Sequence, residues 1–507
     1  MDNAATLFVD APVDEGHGDH TALVTPAGRV TYAELRRLTD RAARALCALG
    51  VEPEQRVALL MADGPGWAAT FFGALKLGAV AVPLNTRLGP ADLRAVLADC
   101  RPRVLVADRP LLAAAGIDGA ALGARAVLDF DALVRDASED PVPPEPVGAD
   151  AMAFWLYTSG TTGSPKAAVH CHRTLPACRH YLELVGVTAA DRVFATSKLF
   201  FAYALGNLLL IPLFARAAAY LHPGWPDPAA VAGVMSEFAP TIFFSVPTVY
   251  ARLLRADLPA ETFRSVRFCV SAGERLPGEV YDAWRARFGV EILDGIGATE
   301  TVFMVLSNRP GQSRAGSSGV PVPGSEARIL DAEGRPVADG EEGVLWVRTP
   351  SQAAAYYRRL DHSRRTLVGE WFRTGDVYRR EADGHHVHCG REDDFFKVAG
   401  QWVSPVEVES VLLRHPAVVD GGVVGAPEPG GLIKPFAFVV PRDPAGSREA
   451  LRADVRRFLE TALAPHQRPR EIHIVSELPR TATGKLQRFR LRALADGPTA
   501  PSKHTNP

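Results

Sequence analysis

The segment "YTSGTTGSPK" (157–166) crowds glycines, hydroxyl side chains and one lysine into ten positions, directly after the apolar run "AMAFWLY". Glycines let successive backbone amides converge into a concave nest, and hydroxyls add further donors. Lys166 brings a mobile positive charge suited to phosphate oxygens. The Walker pattern is absent: Gly160 and Gly163 are spaced differently, and Pro165 precedes the lysine. The loop therefore reads as a phosphate loop of another kind, for a polyphosphate that must leave. A flexible linker is the weaker reading, because a linker would not follow a buried strand inside a domain. Lysine itself is rare: seven of the 56 basic residues are lysine and 49 are arginine. Two of the seven, Lys166 and Lys485, sit in Gly/Ser/Thr loops, "GTTGSPK" and "TATGK".

Four more stretches carry reactive types. In "DGIGATE" (294–300), Gly295 and Gly297 allow close backbone approach, and Thr299 and Glu300 could serve a phosphate oxygen and Mg2+. A turn with a helix cap explains that stretch about as well. In "FRTGDVYRR" (372–380), Asp376 follows a glycine turn and could accept both hydroxyls of a ribose. In "GREDDFFKVAGQWVSP" (390–405), Arg391 could clamp a ribose or phosphate, and Asp393–Asp394 mark a junction between domains. "PRTATGKLQR" (479–488) lies far into the second domain.

These loops need a scaffold. A chain of 507 residues exceeds one hydrophobic core, so two or more domains are expected. "VTYAELRRLTDRAARALCAL" has helical apolar spacing with Thr31 as its cap. Short apolar strands then alternate with helices ("RVALLM", "PGWAATFFGALKLG", "AVAVPL", "RVLVAD", and later "TIFFSV", "VRFCVSAG", "VEILDGIG"), which predicts an α/β fold with a helix-covered, mostly parallel sheet. Residues 316–350 predict a small antiparallel barrel, and a compact α+β domain begins near residue 394. The final residues, from about 495, read as a disordered tail. The formal net charge of −2 gives no basic field for nucleic acid. No run of about 18 uncharged apolar residues predicts a membrane span, the N-terminus lacks a signal-peptide pattern, and six scattered cysteines read as reduced thiols. A cytoplasmic protein follows as the expectation.

In this order and at these intervals, the five loops resemble the adenylate-forming superfamily of acyl-CoA synthetases, adenylation domains and beetle luciferases. The resemblance spans nearly the whole chain. "DRVFATSKLFFAYALGNLLLIPL" with "ILDGIGATETVFMVLSN" is similar to the benzoate-CoA ligase subgroup. The resemblance implies an AMP-binding domain (1–392) and a mobile C-terminal domain (393–507) that swings about Asp393. It implies ATP, Mg2+ and CoA as cofactors, and attack of an acid on the α-phosphorus before thioester formation. It implies that Thr158, Ser159, Gly160, Thr161, Thr162, Gly163 and Lys166 hold the β,γ-phosphates, and that Gly273 and Glu274 lie beside adenine. Asp294 and Gly295 would border the nucleotide, Thr299 would serve phosphate and Glu300 the Mg2+. Asp376 and Arg391 would hold the ribose, and Lys485 would bridge carboxylate and α-phosphate. Gly400 would line the path of the thiol.

The chain departs from the pattern twice. Ala167 stands where the family has a glycine after its lysine, a change read as tolerated. Phe303 stands where benzoate ligases carry a histidine. The implied acid pocket (Phe200, Phe201, Ala202, Tyr203, Ala298, Phe303, Met304) is flat and apolar, suiting an aromatic ring. Phe303 would then favour a substituted or bicyclic acid such as a naphthoate, unless Phe303 and Met304 are simply core. The arginine-, alanine- and glycine-rich composition suggests a GC-rich genome and, by association, secondary metabolism. A stand-alone enzyme that loads an aryl acid onto a carrier protein shares every motif and stays open as an alternative. A non-catalytic nucleotide-binding regulator is disfavoured by the intact Lys166, Glu300, Asp376 and Lys485. Monomer and homodimer are equally open. The "HCHRTLPACRH" segment (170–180), read as a helix, has no common zinc spacing, and "GHHVHCGR" reads as a hairpin.

Overall fold

The apolar runs lie in two large sheets whose alternate residues face opposite cores, as shown by a computed structural model that describes residues 3–116, 124–158, 165–428, 431–480 and 486–495. The nine-stranded sheet runs, edge to edge, Val320–Pro321, Met304–Ser307, Ile292–Gly297, Phe268–Ser271, Ile242–Ser245, Arg192–Ala195, Ala218–Tyr220, Thr21–Thr25 and Gly28–Thr31. Its interior pairs are parallel, and antiparallel strands close both ends. Phe243, Cys269 and Ile292 enter one core while Phe244, Val270 and Leu293 enter another. Burial on both faces is why these strands read as unbroken apolar runs.

The seven-stranded sheet runs Ala355–Tyr356, Lys166–Cys171, Met152–Thr158, Val80–Pro83, Arg56–Leu60, Val104–Ala107 and Ala126–Leu128. It too is parallel inside, with antiparallel strands at the Lys166–Cys171 end. Helix Tyr32–Ala48 starts at a capping box: the Glu34 amide donates to Thr31 Oγ1 at 3.2 Å and the Thr31 amide to Glu34 Oε2 at 2.7 Å. It packs closely on helix Pro65–Lys76 at Gly73, where a Cβ would sit 3.0 Å from Ala42 Cβ. Lys76, at the end of that helix, is buried between Asp40 (2.6 Å) and Asp10 (2.8 Å). Asn3 is also buried, its side-chain amide donating to Leu75 O at 2.6 Å and Glu145 O at 3.2 Å.

Two expectations are refined. The small antiparallel sheet takes Glu326–Leu330 and Glu342–Arg348 from 316–350 and adds Trp371–Arg380, Leu367–Val368 and His386–Arg391 from farther along the chain. Val320–Pro321 instead edges the nine-stranded sheet, because Gly319 (φ +79°) lets the chain press on Ser307, whose carbonyl carbon would lie 2.1 Å from an added Cβ. The "HCHRTLPACRH" segment begins at the end of strand Lys166–Cys171 and is helical from there, as a 3-10 helix over His172–Ala177 and an α-helix over Cys178–Val185.

The chain packs as two compact units, Met1–Arg328 with Trp346–Thr374, and Ile329–Leu345 with Gly375–Pro507. In the second, Val418–Pro427 pairs antiparallel with Ile433–Pro441, which runs parallel to Glu471–Ile474. Helices Pro405–Leu412 and Arg448–Ala462 cover this sheet through Val408, Leu412, Val455 and Leu459. The hairpin Phe396–Val398/Gln401–Val403 precedes them, as expected from the sequence.

Candidate active site

Strand Met152–Thr158 is anchored by the buried Phe154 and Trp155 and returns antiparallel as Lys166–Cys171, with Thr158 opposite Lys166. The glycine-rich segment is therefore the loop of a hairpin. A Walker loop feeds a helix whose N-terminus faces the phosphates. Here a strand follows instead of a helix. Ser159, Gly160, Thr161, Thr162 and Gly163 lie outside the described residues, as does Lys485.

Lys166 Nζ stands 3.4 Å from His362 Nε2. Burial first, then the Lys166 and Arg365 charges, hold His362 below the usual imidazole range, so it meets the ammonium as a neutral acceptor. The His362 ring packs on Tyr356 at 4.5 Å. The Tyr356 hydroxyl donates to Glu300 Oε1 at 2.6 Å. One line of contacts thus runs from the loop lysine to the Glu300 carboxylate.

The turn bearing Thr299 and Glu300 is fixed through its backbone. His170 Nε2 donates to Thr299 O at 2.9 Å, and the Ala353 amide donates to Glu300 O at 2.7 Å. Burial pushes His170 down to about 4, which keeps the ring neutral and stacked on Phe154 at 4.7 Å. Two residues later Val302 adopts φ +58°, which is strained for a β-branched side chain. The close approach that Gly295 permits is made by the chain itself: a Cβ there would lie 2.5 Å from Leu306 O and from Met304 Cε. Asp294 is buried, and burial pushes its carboxyl up to about 8. Gly273, at φ +90°, turns the chain after strand Phe268–Ser271 ahead of Glu274.

Ala202, Phe303 and Met304 share the main core, with Tyr203 packed against it. Phe303 presses on Gly206, where a Cβ would meet its Cδ1 at 3.0 Å. Gly206 lies in the π-helical turn Leu205–Leu210, a widening that recurs at functional sites. The Tyr203 hydroxyl donates to Val270 O at 2.9 Å and Ser245 O at 3.1 Å. Phe201 packs against Phe200 at 4.4 Å, and Ala298 opens the turn that carries Glu300. Sequence reasoning missed a cavity of about 300 Å3 lined by Asp63, Arg87, Lys198, Phe200 and Trp225. Lys198 is buried there against Asp63 at 3.0 Å and donates to Gly224 O at 2.8 Å and to His222 O. Lysine scarcity was the signal that could have drawn attention to it.

In the second unit Asp376 and Arg391 face each other across a hairpin, with Arg391 Nη1 3.0 Å from Asp376 Oδ1. Asp393 lies in the turn Glu392–Asp394. Its neighbour Asp394 is held by Arg492 at 2.9 Å, and Arg488 grips Glu409 through one nitrogen at 2.6 and 2.7 Å. Gly400 sits at φ +83° in an exposed hairpin turn.

Comparison with known proteins places these geometries. Residues 11–357 match the AMP-binding enzyme family and residues 407–485 the AMP-binding enzyme C-terminal domain. The chain is 40% identical to the 3-hydroxybenzoate–CoA ligase of Aromatoleum sp. (strain CIB), covering 97% of each chain. It is 41% identical to the benzoate–CoA ligase of Thauera aromatica, covering 97% of this chain and 96% of that one. It superposes on the anthranilate CoA ligase AuaEII in complex with anthranoyl-AMP with a TM-score of 0.90, at 38% identity and 97% coverage of each chain.

Proposed function

The chain belongs to the AMP-binding enzyme family, and on that premise we propose that it is an acid-thiol ligase of the cytoplasm that joins an aromatic carboxylic acid to CoA through an acyl-adenylate. A carboxylate is a poor acyl donor, and exchange of pyrophosphate for the acid gives AMP as a good leaving group. The contact line Lys166–His362–Tyr356–Glu300 carries the reading, since it sets a phosphate-type cation and a hard carboxylate on one rigid framework.

In this reading Thr158, Ser159, Gly160, Thr161, Thr162, Gly163 and Lys166 hold the β,γ-phosphates. Thr299 serves a phosphate oxygen, and Asp294 and Gly295 border the nucleotide. Gly273 and Glu274 border adenine, Asp376 and Arg391 hold the ribose, and Lys485 stabilises charge as the acid attacks. Asp393 is the hinge between residues 1–392 and 393–507, and Gly400 lines the thiol path. Mg2+ fits Glu300, an oxygen donor on a backbone-fixed turn. Among the described residues no group of three or more His, Cys, Asp or Glu side chains could hold a metal, so phosphate oxygens and water would complete its shell. When bound, the ion supplies neutralisation of phosphate charge. Phe201, Ala202, Tyr203, Ala298, Phe303 and Met304 form the acid pocket, and Phe303 favours a substituted or bicyclic ring over benzoate. Among the described residues no helix is long and apolar enough to cross a membrane.

The test is AMP release with Mg·ATP and CoA across benzoate, 3-hydroxybenzoate, anthranilate, 1-naphthoate and octanoate. CoA-dependent AMP with the aryl acids alone is expected. Acid-dependent ATP–pyrophosphate exchange without CoA-dependent AMP would move the acceptor to a carrier protein. A preference for octanoate would overturn the aromatic pocket.

A further inference from the structure

We propose that His388 is a positioning residue that sets the carboxylate of Asp376 for the ribose hydroxyls of ATP, an inference resting on the ribose reading of Asp376 above. The hairpin Trp371–Arg380/His386–Arg391 pairs Asp376 with Arg391 and Val377 with Gly390, then slips so that Tyr378 faces His388. Without that slip Cys389 would oppose Tyr378, and His388 would lie on the other face of the sheet. The bulge turns His388 onto the face that Asp376 and Tyr378 share, a use of bulges found beside functional sites. Gly390 permits it at φ +140°, and there a Cβ would meet Phe395 Cε2 at 3.0 Å. Ser404 pins the bulge by donating to Cys389 O at 2.6 Å while capping helix Pro405–Leu412.

The outcome is a carboxylate oxygen met by two basic side chains. Arg391 Nη1 is 3.0 Å and His388 Nε2 3.6 Å from Asp376 Oδ1. Gly375 makes room for the guanidinium, since a Cβ there would lie 3.1 Å from Arg391 Nη2. The imidazole contact is too long for a hydrogen bond. Both side chains are less than a fifth exposed, so the attraction between Nε2–H and the carboxylate is weakly screened. The Tyr378 ring meets the imidazole edge-on at 5.2 Å and limits its rotation. Nδ1 has no hydrogen-bond partner among the described residues, which assigns the proton to Nε2. The Arg391 hydrogen bond and the imidazole's electrostatic attraction at the same oxygen bias the carboxylate's orientation before the sugar arrives.

Calorimetric binding of Mg·ATP and Mg·2′,3′-dideoxy-ATP to the full chain tests this. His388→Phe should weaken ATP about fivefold, the scale of one modest polar contact, and leave dideoxy-ATP unchanged. His388→Gln, which keeps an N–H donor, should retain most of the ATP affinity. Equal weakening of both nucleotides would assign His388 to folding alone and overturn the inference. Asp376→Ala separates the two layers. If it abolishes the preference for ATP over the dideoxy analogue and His388→Phe leaves that preference unchanged, the positioning role fails while the ribose reading stands. If Asp376→Ala leaves the preference intact, the ribose reading fails first.

Discussion

In its proposed role, Lys485 is the single side chain that would decide one half-reaction. Charge builds on the α-phosphate as the acid attacks, and a cation aimed there counts only in that step. Lys485→Ala should therefore lower adenylate formation by about 10²-fold or more, measured by acid-dependent ATP–pyrophosphate exchange. Thioester formation from preformed acyl-adenylate should stay near wild type; equal loss in both assays would remove Lys485 from its role. Lysine scarcity pointed to Lys485 and Lys166, yet the same scarcity marks structural sites. Lys76 is buried between carboxylates 36 and 66 positions away in the chain, and Lys198 is buried against Asp63. Such partners come together only through the fold, so no local spacing announces them. Phe303 shows the same limit: its type suggested a pocket wall, while its packing on Gly206 and its place in the main core needed coordinates.

At the scale of elements, the two loops richest in reactive types both sit where a parallel sheet changes to antiparallel pairing. The glycine-rich loop joins Met152–Thr158 to Lys166–Cys171, and the Glu300 turn joins Ile292–Gly297 to Met304–Ser307. Apolar runs made the parallel strands legible. The antiparallel returns were not, because their short strands are bounded by glycine-, hydroxyl- and charge-bearing loops instead of ordinary turn signals. In the second unit, Arg488 ties helix Arg488–Ala495 to Glu409 of helix Pro405–Leu412. Arg488→Ala leaves the Glu409 carboxylate buried without that cation and should cost about 3–5 kcal/mol. Chemical denaturation of the full chain measures it, and a change under 1 kcal/mol would contradict the buried-pair assignment. The turn Glu392–Asp394 carries the proposed hinge. Fixing its φ with Asp393→Pro should spare pyrophosphate exchange and block CoA-dependent AMP release. An unchanged overall rate would place the hinge elsewhere.

For the whole molecule, three buried groups give stability a preferred pH. Burial pushes His170 and His172 down to about 4, from an ordinary 6.5. Their depressed values add stability that is complete above 6.5 and is lost as pH falls toward 4. Burial pushes Asp294 the other way, up to about 8 from 3.8, so its contribution is lost as pH rises from 4 toward 8. Between 4 and 6.5 the unfolded chain gains two histidine protons and releases one from Asp294. Stability due to these groups then falls by roughly 1.4 kcal/mol per pH unit on acidification. Between 6.5 and 8 Asp294 is the one of these three that counts, and its contribution falls at a similar slope as pH rises. A maximum near pH 6.5 is expected in denaturation measured at pH 5, 6.5 and 8, and Asp294→Asn should flatten the alkaline side. An alkaline side unaltered by that substitution would remove Asp294 from the account.

The buried Asn3 and the Asp10–Lys76–Asp40 cluster make the opening residues part of the interior. A purification strategy that trims the first ten residues would strip Lys76 of one counter-charge and open the floor beneath two helices. Soluble yield of this enzyme should therefore fall more on removal of these first residues than on trimming of an exposed surface loop.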